Sequence, residues 1–187
     1  MKYILRIFKF FLLISVTWGL LFGLWLGLYI GIANGINYGL QGGFIFGAIV
    51  TGISALYDYI LRVRVFKKYG KRTFEVIQER EMILEGDVKD LMQESVSALK
   101  TIGAKKIFPN YSTNKVNAVC GITWKTYGEK IEIDLIPNGD KTKIYISSRP
   151  RLKTAIFDGG RNIENVEMFK RIWGQVFNLD ISYLYVI

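Results

Sequence analysis

Apolar and polar positions divide this chain into two regions. From about Phe8 to Ile60 nearly every residue is apolar, and the formal charges are Lys9 at the start and Asp58 near the end. A single helix over that length would be roughly 80 Å long, far more than the ~30 Å core of a bilayer, so the stretch must fold back on itself. The uncharged segment Ala33–Gly43, with Asn34, Asn37, Gln41 and several glycines, offers turn chemistry for the reversal. The expectation is two membrane spans, about residues 8–32 and 40–60. Tyr29 and Tyr38 would then lie at one interface and Tyr57 and Tyr59 at the other.

Within this region every fourth residue from 19 to 47 is glycine: Gly19, Gly23, Gly27, Gly31, Gly35, Gly39, Gly43 and Gly47. Ser15 precedes the series, and Thr51 and Ala55 continue it. Spacing by four places small residues along one side of a helix. An interior glycine costs a helix about 1 kcal/mol relative to alanine, so a series in register points to a need for close backbone approach. Two uses fit. The faces of the two spans can pack on each other within one hairpin, or Gly19, Gly23, Gly27, Gly31, Gly39, Gly43 and Gly47 can pack between subunits of a homo-oligomer, with Gly35 left in the turn. The second use is the expectation adopted. Residues 19–47 resemble glycine-zipper membrane proteins, such as the pore helices of small mechanosensitive channels and the rotor-ring subunits of rotary ATPases. That resemblance concerns packing, and it implies a ring-like or clustered assembly that could conduct ions. Rotor subunits carry a carboxylate in mid-membrane. Asp58 instead lies at the end of its span, four residues before Arg62, where an ion pair is expected.

Charge orients the hairpin. Lys2, Arg6 and Lys9 lie at the start of the first span. Arg62, Arg64, Lys67, Lys68, Lys71 and Arg72 follow the second, and the connection between the spans carries no charge. Both termini are therefore expected in the cytoplasm, in a multi-pass protein of the cell membrane. The same six residues are candidates for attracting anionic lipid headgroups. The formal net charge is +9 over 187 residues. No nucleic-acid-binding fold accompanies it, so the bilayer is the expected partner and nucleic acid is not. The apolar run is too long for the core of a signal peptide and lacks a small-residue cleavage site.

Composition narrows the chemistry. There is no histidine and one cysteine, Cys120. No intrachain disulfide can form, and histidine-based triads are excluded. No phosphate-binding loop, nucleophile elbow or metal-ligand spacing appears. The expectation is a non-enzymatic protein with no cofactor and no metal.

From Thr73 the pattern becomes that of an α+β domain, giving a boundary at 72/73. Phe74–Leu84 reads as a strand. Asp87 caps a helix to about Ile102, with Val88, Leu91, Met92, Leu99 and Ile102 on one face and Gly103 as the stop. Lys115–Trp124 alternates, with Val116, Ala118, Cys120, Ile122 and Trp124 sharing a face. Glu129–Ile136 alternates too, with Ile131, Ile133 and Leu135 inward and the charged residues reading as a solvated face. Asn138-Gly139 signals a hairpin to a strand at Lys141–Ser147. A helix follows over about Asn162–Phe177, with Val166, Phe169, Ile172, Trp173 and Val176 inward. Asp180–Ile187 alternates as a last strand. The predicted domain is an antiparallel sheet with two helices on one side.

Three polar clusters punctuate it: W-K-T-Y-G-E-K at 124–130, S-S-R-P-R at 147–151 and D-G-G-R-N-I-E-N at 158–165. Their succession resembles a domain of uncharacterised bacterial membrane proteins, which brings no activity with it. Ser147, Ser148, Arg149, Arg151 and Arg161 are candidates for an anion site near a helix N-terminus, with turns and solvated basic residues as the plainer alternative. Cys120, on the apolar face, is expected to be buried. A membrane-anchored module recognising lipid, phosphate or a protein is the alternative to the oligomeric assembly.

Overall fold

A computed structural model describes residues 2–70, 73–123, 126–152 and 154–176. The chain divides into two compact units, Met1–Arg62 and Val63–Ile187.

The first unit is a pair of helices. Helix α1 spans Lys2–Ile30, and helix α2 spans Ile32–Tyr69, ending in the second unit. Both are long and apolar enough to cross a membrane. The reversal occupies one residue, Gly31, whose φ of 89° lies in the region that favours glycine. The Gly31 amide still donates to the Gly27 carbonyl (3.1 Å), and the Gly35 amide donates to the Gly31 carbonyl (3.0 Å). The expected turn over Ala33–Gly43 is therefore wrong, since all of it is helix. Its polar side chains are satisfied along the helix: Asn34 donates to the Ile30 carbonyl (3.1 Å), and Gln41 donates to Asn37 (3.1 Å).

The glycines between the two helices meet within the one chain. A Cβ placed on Gly39 would lie 2.6 Å from the Gly19 carbonyl oxygen. One on Gly35 would lie 2.5 Å from the Gly27 Cα, and one on Gly23 would lie 2.9 Å from the Gly35 carbonyl oxygen. Gly43 and Gly47 are closed off in the same way by Ser15, with Gly19 also against Gly43. Gly35, assigned to the turn on sequence, is thus a packing residue. Gly31, assigned to the packing face, is the turn and has nothing near it. Large side chains point the other way, and Leu28 is 85% exposed. Along one side of the seam Trp18 stacks on Phe46 (4.3 Å between centroids) and Phe22 covers Gly42. The other side is an open apolar groove with Gly19, Gly23 and Gly27 in its floor and Leu20, Ile36 and Leu40 among its walls. At the open end of the hairpin, Arg62 Nε donates to Asp58 Oδ2 (2.8 Å), as its i,i+4 spacing predicts, and the Tyr3 hydroxyl donates to the same oxygen (3.1 Å).

Among its described residues the second unit is a five-stranded antiparallel sheet with two helices. The strands are β1 (Gln78–Glu85), β2 (Ala104–Asn110), β3 (Lys115–Cys120), β4 (Glu129–Asn138) and β5 (Lys141–Pro150). Helix α3 (Val88–Ile102) follows β1, and helix α4 (Arg161–Val176) follows β5. The strand order is β1-β5-β4-β3-β2. Asp87 caps α3 through its side chain, and Gly103 ends it at φ 94°. Strand β2 had no sequence counterpart. It is an edge strand carrying Lys105, Lys106 and Pro109, features that blunt pairing at an edge and weaken the strand signal. The alternation places Met82, Leu84, Val116, Ala118, Cys120, Ile131, Ile133, Leu135, Ile144 and Ile146 in one core with Leu91, Met92, Leu99, Val166, Phe169 and Trp173. Ile122 and Val176, expected inward, are exposed, Ile122 because β3 stops at Cys120. The proposed strand at 180–187, together with Trp124 and Phe177, lies outside the described residues.

The seam makes a direct prediction. Gly39→Leu, which places a branched side chain against the α1 backbone, should lower the thermal midpoint of the detergent-solubilised protein without changing its mass. Gly52→Leu, at a position with open space, should be neutral or stabilising by up to about 1 kcal/mol. Equal midpoints for the two variants would contradict the packing described.

Candidate functional site

The five residues expected to form an anion site do not come together. Neighbouring residues of a strand point to opposite faces of a sheet. Ser147 and Arg149 accordingly lie on the face away from the helices, where Arg149 pairs with Glu132 (2.9 Å). Ser148 points into the core. Arg151 is exposed in the bend after β5, and Arg161 opens α4. The N-terminus of α4 is moreover occupied by the chain itself. Asp158 Oδ1 accepts from the Gly160 amide (3.2 Å), and Asp158 Oδ2 accepts from the Asn162 amide (3.2 Å) and Asn162 Nδ2 (2.8 Å). An internal carboxylate already holds the place an external anion would take.

Where α4 meets the sheet there is instead a buried polar network. Ser148 Oγ donates to Asn162 Oδ1 (2.7 Å) and accepts from Asn165 Nδ2 (3.1 Å). All three residues are fully buried. Beside them Arg80 of β1 grips Glu167 of α4 through Nε (3.0 Å) and Nη2 (2.5 Å). These bonds fix the register of α4 on β1 and β5, which apolar packing alone would leave adjustable.

The same network reaches a corner formed by the ends of β3, β4 and α3 and the start of α4. Glu129, the first residue of β4, is 1% exposed. Its Oε1 accepts a very short hydrogen bond from Thr126 Oγ1. Its Oε2 has no hydrogen-bond partner among the described residues, and neither has Arg161 Nε, which stands 4.0 Å away. Arg161 is otherwise engaged, with Nη1 donating to Glu164 (2.8 Å) and Nη2 to the Ile102 carbonyl (3.4 Å). Burial, above all, raises the Glu129 carboxyl above the usual range; the Thr126 hydrogen bond and Arg161 oppose this, while Asp158 and Glu164 add to it. Burial likewise pushes the Cys120 thiol up to about 11, which leaves it a protonated, poorly nucleophilic group. The sequence reading grouped Glu129 with a solvated charged face. The alternation that sends Ile131, Ile133 and Leu135 inward also sends residue 129 inward, and that was the available signal.

The face of the sheet away from the helices is polar. Ion pairs cross it at Lys115–Asp134 (2.9 Å) and Lys143–Glu81 (2.7 Å). Lys130 pairs with Glu132 (2.8 Å), and this hydrogen bond is the main cause holding the Glu132 carboxyl low. Tyr145 lies among them, its hydroxyl raised to about 12 by burial and by Glu79. The charged positions 130, 132 and 134 are therefore on an open face, as the alternation predicts.

Of the basic segment after the apolar region, Arg62 is fully buried in its ion pair with Asp58 and is not available to a headgroup. Arg64, Lys67 and Lys68 are exposed on the last turns of α2. Lys71 and Arg72 lie outside the described residues. Among the described residues no cluster of three or more carboxylates or thiols is arranged to hold a metal ion. Comparison with protein-family models and with curated proteins gives no match.

The network predicts a contrast between neighbours. Ser148→Ala strands two buried asparagine groups and should cost about 1–3 kcal/mol of stability, read by chemical denaturation. Ser147→Ala, on the opposite face, should stay within about 0.5 kcal/mol of the parent.

Proposed function

We propose that the chain is a non-enzymatic integral membrane protein in which a close-packed helical hairpin anchors a cytoplasmic α+β interaction domain. The observation that carries this reading is the distribution of side-chain size in the hairpin. Glycines fill its interior, while leucine, isoleucine, phenylalanine and tryptophan face outward. Water would favour the reverse, and lipid tolerates it, because association in a bilayer comes from backbone packing rather than from hiding apolar surface. Basic residues at both open ends and an uncharged tip favour an orientation with both termini in the cytoplasm. Arg64, Lys67 and Lys68 supply attraction to anionic lipid, worth about 1 kcal/mol for each residue near the surface. The absence of histidine, the buried thiol and the self-capped helix favour binding over catalysis.

Topology tests this reading. In a Cys120→Ser background, a membrane-impermeant thiol reagent applied to intact cells should modify Asn34→Cys near the hairpin tip and spare Asn110→Cys at the end of β2. Modification at 110, or protection of both, would overturn the orientation.

A homo-oligomeric, ring-like or clustered assembly is the second reading. Gly35, Gly39, Gly43 and Gly47 of α2 pack within the chain, so the stripe no longer demands a neighbouring subunit. What favours assembly is the apolar groove left open along Gly19, Gly23 and Gly27. The mass of the detergent-solubilised particle decides between the readings. The anchored-module reading expects a single 21.5 kDa chain, and the assembly reading expects a multiple of it.

A further inference from the structure

Among the described residues the corner around Glu129 sets three carboxyl groups against two cations, the Arg161 guanidinium and Lys68 of α2, whose Nζ stands 3.7 Å from Glu164 Oε1. Three carboxyl groups surround Arg161: Glu129 from β4, Asp158 from the segment before α4, and Glu164 from α4. Asp158 accepts three hydrogen bonds and Glu164 is paired with Arg161 Nη1, so both are provided for as anions. Glu129 is not. One of its oxygens is bonded to Thr126, the other has no hydrogen-bond partner among the described residues, and Arg161 Nε remains at 4.0 Å. From β3 the facing group is Cys120, which is buried and carries no charge. From β2, Lys105 lies along Gly121, next to Cys120. A buried carboxylate without its full set of donors is costly, and the economical resolution is protonation.

We propose that Glu129 is a neutral acid in the folded protein and acts as a proton-operated latch between β4, α3 and α4. With the proton in place, Arg161 stays on Glu164 and on the Ile102 carbonyl, tying the start of α4 to the end of α3. Loss of the proton leaves a third carboxylate competing for Arg161. The guanidinium is then drawn across the 4.0 Å gap and off the Ile102 carbonyl. The packing of α4 on the sheet thereby responds to ambient pH. The inference rests on the second unit alone and does not depend on the membrane reading.

The sign follows from proton linkage. The folded state holds this proton more tightly than the unfolded chain, whose glutamates have ordinary values. The contribution is fully present below the unfolded value and is lost as pH rises through the folded one. The test uses the full-length protein in detergent, with two readouts. The thermal midpoint of the parent should fall as pH rises above the ordinary glutamate value of about 4.3, whereas that of Glu129→Gln, which mimics the protonated carboxyl, should lose most of that dependence. In infrared spectra at neutral pH, the parent should show a protonated-carboxyl band that Glu129→Gln removes. An unchanged pH slope in Glu129→Gln, or the lack of such a band in the parent, would overturn the proposal. Should Glu129→Gln not fold, Thr126→Val serves instead. It removes the donor to Oε1 and should shift the band to higher frequency, and an unmoved band would count as decisively against the latch.

Discussion

Backbone against backbone is the contact on which the first unit depends. Two helices approach this closely only where neither has a side chain in the way, and here the requirement is met four residues at a time along both. Everything else in the hairpin follows from it. The reversal must be short, because a longer loop would shift the two glycine series out of register. Large side chains must go outward, because the interior has no volume for them. The Asp58–Arg62 pair, with Tyr3 joining from the start of α1, then fastens the end opposite the turn.

The second unit is built on the opposite rule. Its interior is filled by side chains, with Val116 and Ala118 of β3 and the isoleucines of β4 and β5 meeting the aromatic and aliphatic faces of α3 and α4. At the edge of that interior the apolar filling gives way to Ser148, Asn162, Asn165, Arg80 and Glu167, whose hydrogen bonds are directional where apolar contacts are not. One helix is therefore seated by shape and the other by shape and polarity together. The Glu129 corner sits at the junction, which is why a charge change there bears on α4 more than on the sheet.

Much of this was legible in the sequence, for a physical reason. Period-two and period-four patterns report which face is buried, and the strands around Ile131 and Ile144, helix α3 with its Asp87 cap, and the hairpin itself all carry strong patterns. The failures have a common cause as well. Glycine and asparagine serve both turns and close packing, and composition cannot say which. The segment Ala33–Gly43 read as a turn for that reason, although the glycine register ran through it unbroken. Strand β2 carries a weak signal because its lysines and proline are the residues that keep an edge from pairing. The anion cluster was assembled from neighbours in sequence, and a strand sends such neighbours to opposite sides.

The one-residue turn at Gly31 has a consequence for what the molecule can sense. A hairpin that reverses without a loop has almost no surface at its tip: no site for a ligand to dock, little for a protease to grip and no charged group to feel an external field. In a bilayer such a protein is nearly blind on that side. Under the proposed membrane placement, signals would reach it along the open groove or through the α+β domain.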